Sequence, residues 1–423
     1  MTEQSQWTVK SDDIDVLRRL AERKRSIAES PENAERRRLW LAHNDLRGER
    51  PMVLVEAYLA FDELFDEKDL QCTEPWARGL EKQFRWDIWR FETVKDDHVV
   101  EPNLGVGWKV KATGFGVEVP KTRGEAEGGM MGSYVWDPPI KDISRDFAKL
   151  KGRTFSVDRD ATLAWKAHLD KVFSGILDVR IRGGFWWTLG MTWQAIDLIG
   201  LENLMLFMYD DPEGLHRLMA FLRDDHLRFA EWLEAEGLMT LNNENDYVGS
   251  GTLGYTTALP ADGYPPDGPA RMKDQWVLLE SQETVGVGPE KFEEFVFAYQ
   301  AAIAEKFGLV YYGCCEPVHT RWHVLKKLGN LRSVSVSPWC DQQFMAAELG
   351  RNYVFSRKPN PTLISMQKFD EDLISRDLQS TLDIARGCEL EIIMKDVHTL
   401  AGQPLRVARW VALARKAIDA RAA

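Results

Sequence analysis

The sequence predicts an α/β fold: a (β/α)8 TIM barrel over residues 49–423, preceded by a helical extension over residues 1–48. Three observations predict it. From Leu309 onward four short apolar runs, LVYY, SVSV, YVFS and EIIM, alternate with helical stretches in units of about twenty to forty residues, the rhythm of a parallel sheet. Each run ends in polar residues with Gly or Pro, as barrel strands do where they open on a common mouth. No GxxxxGK[ST] loop occurs, so a nucleotide-binding open sheet lacks its main support.

A chain of 423 residues with 44% hydrophobic and 11% aromatic side chains can fill a large core. Its net charge of −12 is spread along the chain, which argues against partners that need a basic surface, namely nucleic acid and anionic membranes. The polar, acidic start MTEQSQWTVKSDDID has no signal-peptide pattern, and no apolar run is long enough to span a bilayer. Five cysteines, an odd number with an adjacent pair, make a poor disulfide framework. A cytoplasmic location is therefore expected, while pairing of two copies into a homodimer is left open.

Taken in order, residues 11–48 show helical periodicity with many charges; the basic run ERRR among glutamates reads as a solvated helix face. PMVLVE, residues 51–56, is the first buried strand, and residues 57–95 are helical and rich in Trp and Phe. GVGWKVKATGFGVEV alternates as strands or a hairpin, and Glu125 to Pro139 is an irregular loop suited to a lid or wall. Ile176 to Ile181 is a strand, and a helix begins near Pro212 behind an acidic cap. Leu238 to Leu241 is a short strand running into NNEND, and Trp276 to Glu280 another, ending in ESQET. A helix opened by Pro289 follows, and then the four βα units.

The candidate chemistry lies at strand ends. Cys314, Cys315 and Glu316 follow LVYYG directly and gather soft and hard metal-ligand atoms. Cys314 and Glu316, two apart on an extended end, project to one side, whereas Cys315 points away unless the backbone turns. His398, just after the last strand, suits a ligand or a general acid/base. Glu244 and Glu280 are candidate acids, with Asn243 and Gln282 beside them as substrate contacts. Lys358, Asn360, Lys395 and Asp396 complete the ring of polar strand ends, and Lys395 with Asp396 also suits a structural ion pair. Trp186, Trp187, Trp193, Trp276 and Trp339 suit an aromatic-walled pocket for an aromatic or quaternary-ammonium substrate, or else core packing.

With PMVLVE, DDPEGLHRLM, LESQETVGVGPEKFEEFVFAYQ, YYGCCEPVHTRWHVLKKLGNLRSVSVSPW, VFSRKPNP and EIIMKDVHTL in view, the chain resembles the uroporphyrinogen decarboxylase superfamily, in its methyltransferase-like branch with the GCCEP motif. The resemblance implies the barrel. It does not imply uroporphyrinogen decarboxylation, because Glu56-Ala57-Tyr58-Leu59-Ala60-Phe61 stands where true decarboxylases carry an arginine-rich segment. It implies instead methyl transfer from a small methylated substrate, such as an aromatic methyl ether or methylamine, to a corrinoid protein or folate-like acceptor with the help of zinc. The resemblance places the branch's zinc site, a His-x-Cys pair with a distant cysteine, on Cys314 and Glu316, with cysteine for the histidine and glutamate for the cysteine, and on His398 as the distant ligand; Cys315 is a further candidate beside them. No cobalamin-binding DxHxxG motif occurs, so a corrinoid would arrive on a separate protein. The runner-up is a cofactor-independent lyase that decarboxylates a small acid, with Lys358 or Lys395 supplying positive charge.

Overall fold

A computed structural model describes residue 7 and residues 10–124, 134–184, 188–265 and 268–422. Among these the strands are β1 Met52–Val55, β2 Asn103–Gly107, β3 Lys109–Ala112, β4 Lys121–Arg123, β5 Tyr134–Trp136, β6 Phe155–Asp158, β7 Asp178–Arg182, β8 Trp276–Leu279, β9 Leu309–Tyr312, β10 Leu331–Val336, β11 Val354–Arg357 and β12 Glu389–Met394. The fold is mixed α/β, and the chain divides into two compact units. One combines residues 1–109, 158–183 and 358–423; the other combines 110–157 and 184–357.

In the first unit the two expected N-terminal helices form as Ser11–Ala28 and Pro31–Asn44. The second has Pro31 in its first turn and Ser30 as its cap, whose side chain accepts from the Asn33 amide. Within its basic run Arg38 is ion-paired on the surface, bridging Glu35 and Glu49, whereas Arg36 is buried over the Phe91 ring and pairs with Glu32. Val16, Leu17 and Ala21 pack with Phe84 and Phe173, which joins the first helix to the helix Pro75–Trp89. Strand β1 pairs in parallel with β12, Met52 beside Glu391 through Val55 beside Met394. Strand β2 takes β7 as a parallel partner, so the hairpin reading of residues 99–119 does not hold for it. Two buried ion clusters brace this unit. Asp97 meets Arg50 and Arg415, and His43 lies between Glu389 and Glu391 at the start of β12.

The second unit carries the series β8-β9-β10-β11, all parallel, with Leu279 beside Tyr312, Tyr312 beside Val334 and Val334 beside Phe355. Every residue of β8, β9 and β11 is buried, the signature of a parallel sheet covered on both faces. Beside β8, Leu189 donates its amide to the Leu278 carbonyl, so an irregular stretch continues the pairing. Strands β4 and β5 form an antiparallel hairpin. Lys121 of that hairpin lies over the rings of Tyr134, Trp136 and Trp193 and pairs with Asp197. The loop between β4 and β5, residues 125–133, lies outside the described residues.

One expectation is corrected here. Leu238 to Leu241 is not a strand: the stretch is coil, followed by an isolated bridge between Tyr247 and Leu253. Its backbone is tied instead by side chains, the Asn242 carboxamide exchanging hydrogen bonds with both backbone groups of Trp276. The described strands form open series, and no sheet among them closes into a ring. The run Gly249-Ser250-Gly251-Thr252-Leu253-Gly254 has GxGxxG spacing, yet it is no phosphate loop, because neither a preceding strand nor a following helix frames it. No helix among the described residues is long and apolar enough to cross a membrane.

Candidate functional site

The site grows from two neighbouring strand ends. In the register of β8 and β9, Leu279 lies beside Tyr312, so Glu280-Ser281 leaves one strand where Gly313-Cys314 leaves the next. Gly313 turns the chain with φ of +98°, a conformation that side-chain-bearing residues rarely adopt. A Cβ there would also stand 3.2 Å from Ser335 Cβ. The turn brings Glu316 back over the sheet. Its Oε1 accepts from the Ser281 amide and its Oε2 from the Cys314 amide, both at 2.8 Å, so one carboxylate clamps both strand ends. The neighbouring strand holds the loop from below, Ser335 Oγ donating to the Cys314 carbonyl at 2.8 Å and Ser337 Oγ to that of Glu316 at 3.3 Å.

Behind the clamp is a closed polar layer. Tyr312 donates its hydroxyl to Gln300 Oε1 at 2.8 Å, which leaves Ser281 Oγ to donate to Tyr312 at 3.0 Å. Gln300 Nε2 donates to the Gly190 and Glu280 carbonyls. Arg321, stacked over Phe292, donates to Ser281 Oγ and to both the hydroxyl and the carbonyl of Thr284. Gly190 packs so closely on Glu280 that a Cβ would stand 2.3 Å from its carbonyl oxygen, so only glycine fits.

Glu280 is the electrostatic oddity. Burial, reinforced by the charges of Glu283 and Glu316 and by the Cys314 sulfur, pushes its pKa well above the ordinary carboxyl value. Burial pushes Glu316 up as well, but the Ser281 and Cys314 amides and the charge of Arg321 oppose it. Glu316 therefore keeps the negative charge and Glu280 holds the proton. The two Glu280 oxygens differ, since Oε2 accepts from the Gln282 amide at 3.1 Å while Oε1 is buried with no hydrogen-bond partner among the described residues. Glu283 accepts from Thr192 Oγ1 at 2.6 Å.

The adjacent thiols converge. Cys315 does not point away from Cys314; the chain bends at residues 314–316 and the two sulfurs lie 3.6 Å apart. Cys314 is buried and takes a hydrogen bond from Ser250 Oγ at 3.6 Å, whereas Cys315 is exposed. Cys315 lines a cavity of about 540 Å³ together with Gln282, Glu283, Val285, Pro317 and Trp339, whose indole is 67% exposed. Cys340 is buried beside the Glu316 carbonyl and the Ser337 hydroxyl. Among the described residues no group of three or more His, Cys, Asp or Glu side chains is arranged as metal ligands.

The second unit thus brings together Cys314, Cys315, Glu316, Glu280, Gln282 and Trp339 of the expected set. It uses Asn243 otherwise, as a donor to the Leu259 carbonyl, and Glu244 sits in the coil after the missing strand with its amide on Asp246. Trp276 is core, its Nε1 donating to the Gly254 carbonyl. Trp186 and Trp187 lie outside the described residues. Lys358, Asn360, Lys395, Asp396 and His398 belong to the first unit. There His398 is exposed, and Asn360 caps the turn at Thr362. Lys395 lies 3.8 Å from Asp396. Burial raises the pKa of Glu56, at the end of β1, against the pull of Lys395, Arg90 and Lys358, and its Oε2 is buried with no hydrogen-bond partner among the described residues.

The sequence reading missed Ser250, Ser281, Glu283, Tyr312 and Arg321. Glu283 and Ser281 sit inside the ESQET run already singled out, so the signal was present; Ser250 and Arg321 reach the site only through tertiary contacts.

No protein-family model matches the chain, and no curated protein does. Among solved structures, a methyltransferase from Methanosarcina mazei is similar over 90% of this chain and 98% of its own, with 11% sequence identity and a TM-score of 0.48. A likeness that distant carries no function across.

Proposed function

We propose that this chain is an enzyme that removes a methyl group from a small methylated compound, an aryl methyl ether or a methylamine, and passes it to a separate acceptor. The closed barrel implied by the family resemblance belongs to the same proposal. One observation carries it: a neutral carboxylic acid, Glu280, stands close to Glu283, the carboxylate that lines a cavity together with the exposed thiol of Cys315. Breaking a methyl–oxygen or methyl–nitrogen bond leaves a strongly basic group that must be protonated as it departs. Glu283 meets the substrate heteroatom and Glu280 is the proton source behind it. Gln282 and the Trp339 indole hold the rest of a flat substrate in the cavity.

The residues fit a zinc ion in part. Two sulfurs 3.6 Å apart match two corners of a zinc tetrahedron, for which bonds of about 2.3 Å imply a separation of about 3.8 Å. Glu316 does not offer a third corner, because both its oxygens serve backbone amides. Cys314 and Cys315 are thus the residues that would hold zinc, which would supply Lewis acidity; the acid–base work falls to Glu280 and Glu283. A corrinoid protein or a folate-like compound is the proposed acceptor.

Replacing Glu280 by Gln tests the reading. Activity with a methoxyaryl or methylamine substrate is expected to fall by about 10²–10⁴-fold. In the wild type, activity should decline as pH rises through the elevated pKa of Glu280, because the acid works only while protonated; that limb should vanish in E280Q. An E280Q enzyme with an unaltered rate and pH profile overturns the assignment.

The cluster of Glu56, Lys358, Lys395 and Arg90 favours a second reading, a lyase acting on a small carboxylic acid held by those cations. Turnover of such an acid after exhaustive chelation, lost in K395M, would select it.

A further inference from the structure

Adjacent cysteines at the end of an extended strand would face opposite sides. Here the chain bends at residues 314–316 and Cys314 Sγ and Cys315 Sγ lie 3.6 Å apart, with the buried sulfur on Ser250 and the exposed one on the cavity. That separation decides what the pair can do. A disulfide needs a sulfur–sulfur bond of about 2.05 Å and Cα atoms at least about 4.4 Å apart, whereas adjacent Cα atoms are about 3.8 Å apart. Oxidation of the pair would therefore strain the loop. One soft atom bonded to both sulfurs at about 2.3 Å spans them as they stand.

We propose that Cys314 and Cys315 form a chelating dithiol site for a trivalent arsenical that carries one organic substituent. The donor count selects the class. With no group of three metal-ligating side chains among the described residues, the protein offers a pair, and an arsenic(III) centre with one organic group has two positions left to exchange. The cavity supplies space of about 540 Å³ and an exposed indole against which an aryl substituent can stack. With phenylarsine oxide the step balances. The As=O unit and the two S–H groups give two As–S bonds and one water, the protons leave with the oxygen, and arsenic remains trivalent. The exposed Cys315 is the entry thiol, and Cys314 closes the chelate. The inference does not depend on methyl transfer.

The test is titration of the full-length protein with phenylarsine oxide, read as thiols lost and as adduct mass, in wild type, C315S, C314S and C340S. The wild type should take one equivalent at the cost of two thiols and release it to a dithiol far more readily than to a monothiol. Loss of either member of the pair should weaken binding at least about 100-fold, the effective-concentration advantage of a second attached donor. C340S should bind as wild type does. Cys315 is exposed, so C315S is expected to keep its fold, checked by circular dichroism and melting, and carries the test if C314S does not fold. Wild-type affinity in folded C315S, or equal release by monothiol and dithiol in the wild type, overturns the proposal.

Discussion

Raising the pH from 6.5 to 9 should destabilise the first unit by about 3 kcal/mol through one residue, His43. Its imidazole is fully buried; Nδ1 is 3.0 Å from Glu389 Oε1, and Nε2 is 3.4 Å from Glu391 Oε2, an ion pair without hydrogen-bond alignment. Burial pushes the imidazole pKa down, but the two carboxylates outweigh it and raise the value from 6.5 to about 9. A group whose pKa is raised on folding stabilises the native state fully below its unfolded pKa. That contribution is lost as pH rises through the folded value. A rise of about 2.5 units at about 1.36 kcal/mol each gives about 3 kcal/mol. Replacing His43 by Gln leaves two carboxylates without their cation and should cost about 3–5 kcal/mol at pH 6. Denaturant unfolding of wild type and H43Q at pH 6, 7.5 and 9, with the His43 titration followed by NMR, measures both effects. The difference between the two proteins should narrow by about 3 kcal/mol toward pH 9. A constant difference across that range, or a His43 pKa at or below 6.5, would refute the reasoning.

Two further outcomes follow from the packing behind the thiols. Gly190→Ala drives a methyl group into the Glu280 backbone and should cost about 1–3 kcal/mol in thermal or denaturant unfolding; unchanged stability would mean that the 188–190 segment does not lie on β8. Tyr312→Phe removes the donor to Gln300 and the acceptor for Ser281, both buried, and should cost about 1–3 kcal/mol. A neutral effect would mean that water satisfies that layer.

What the sequence determined by itself was local. LVYY, WVLL and EIIM are apolar runs of strand length bounded by polar punctuation, and β8, β9 and β12 formed where those runs stand. The N-terminal helices were legible because their apolar periodicity repeats within a few residues. Leu238 to Leu241 failed for the complementary reason: a short run of strand-type residues forms a strand only if a neighbour offers its ladder, and Asn242 holds Trp276 there by its side chain instead. At the site, residue types were readable and their use was not. Alternation along an extended chain sends Cys315 away from Cys314, and the bend at residues 314–316 reverses that. Glu316 looks like a ligand in one dimension, but the register of β8 against β9 presents it with a backbone amide from 35 residues upstream. Glu280 is an ordinary glutamate in sequence; its proton is held by burial and by two neighbouring carboxylates, which are properties of packing alone. His43 gave no signal at all, since its nearer carboxylate is 346 residues away. Side-chain chemistry is written residue by residue, whereas solvent exclusion and the charge field come from whichever distant segments the fold brings together.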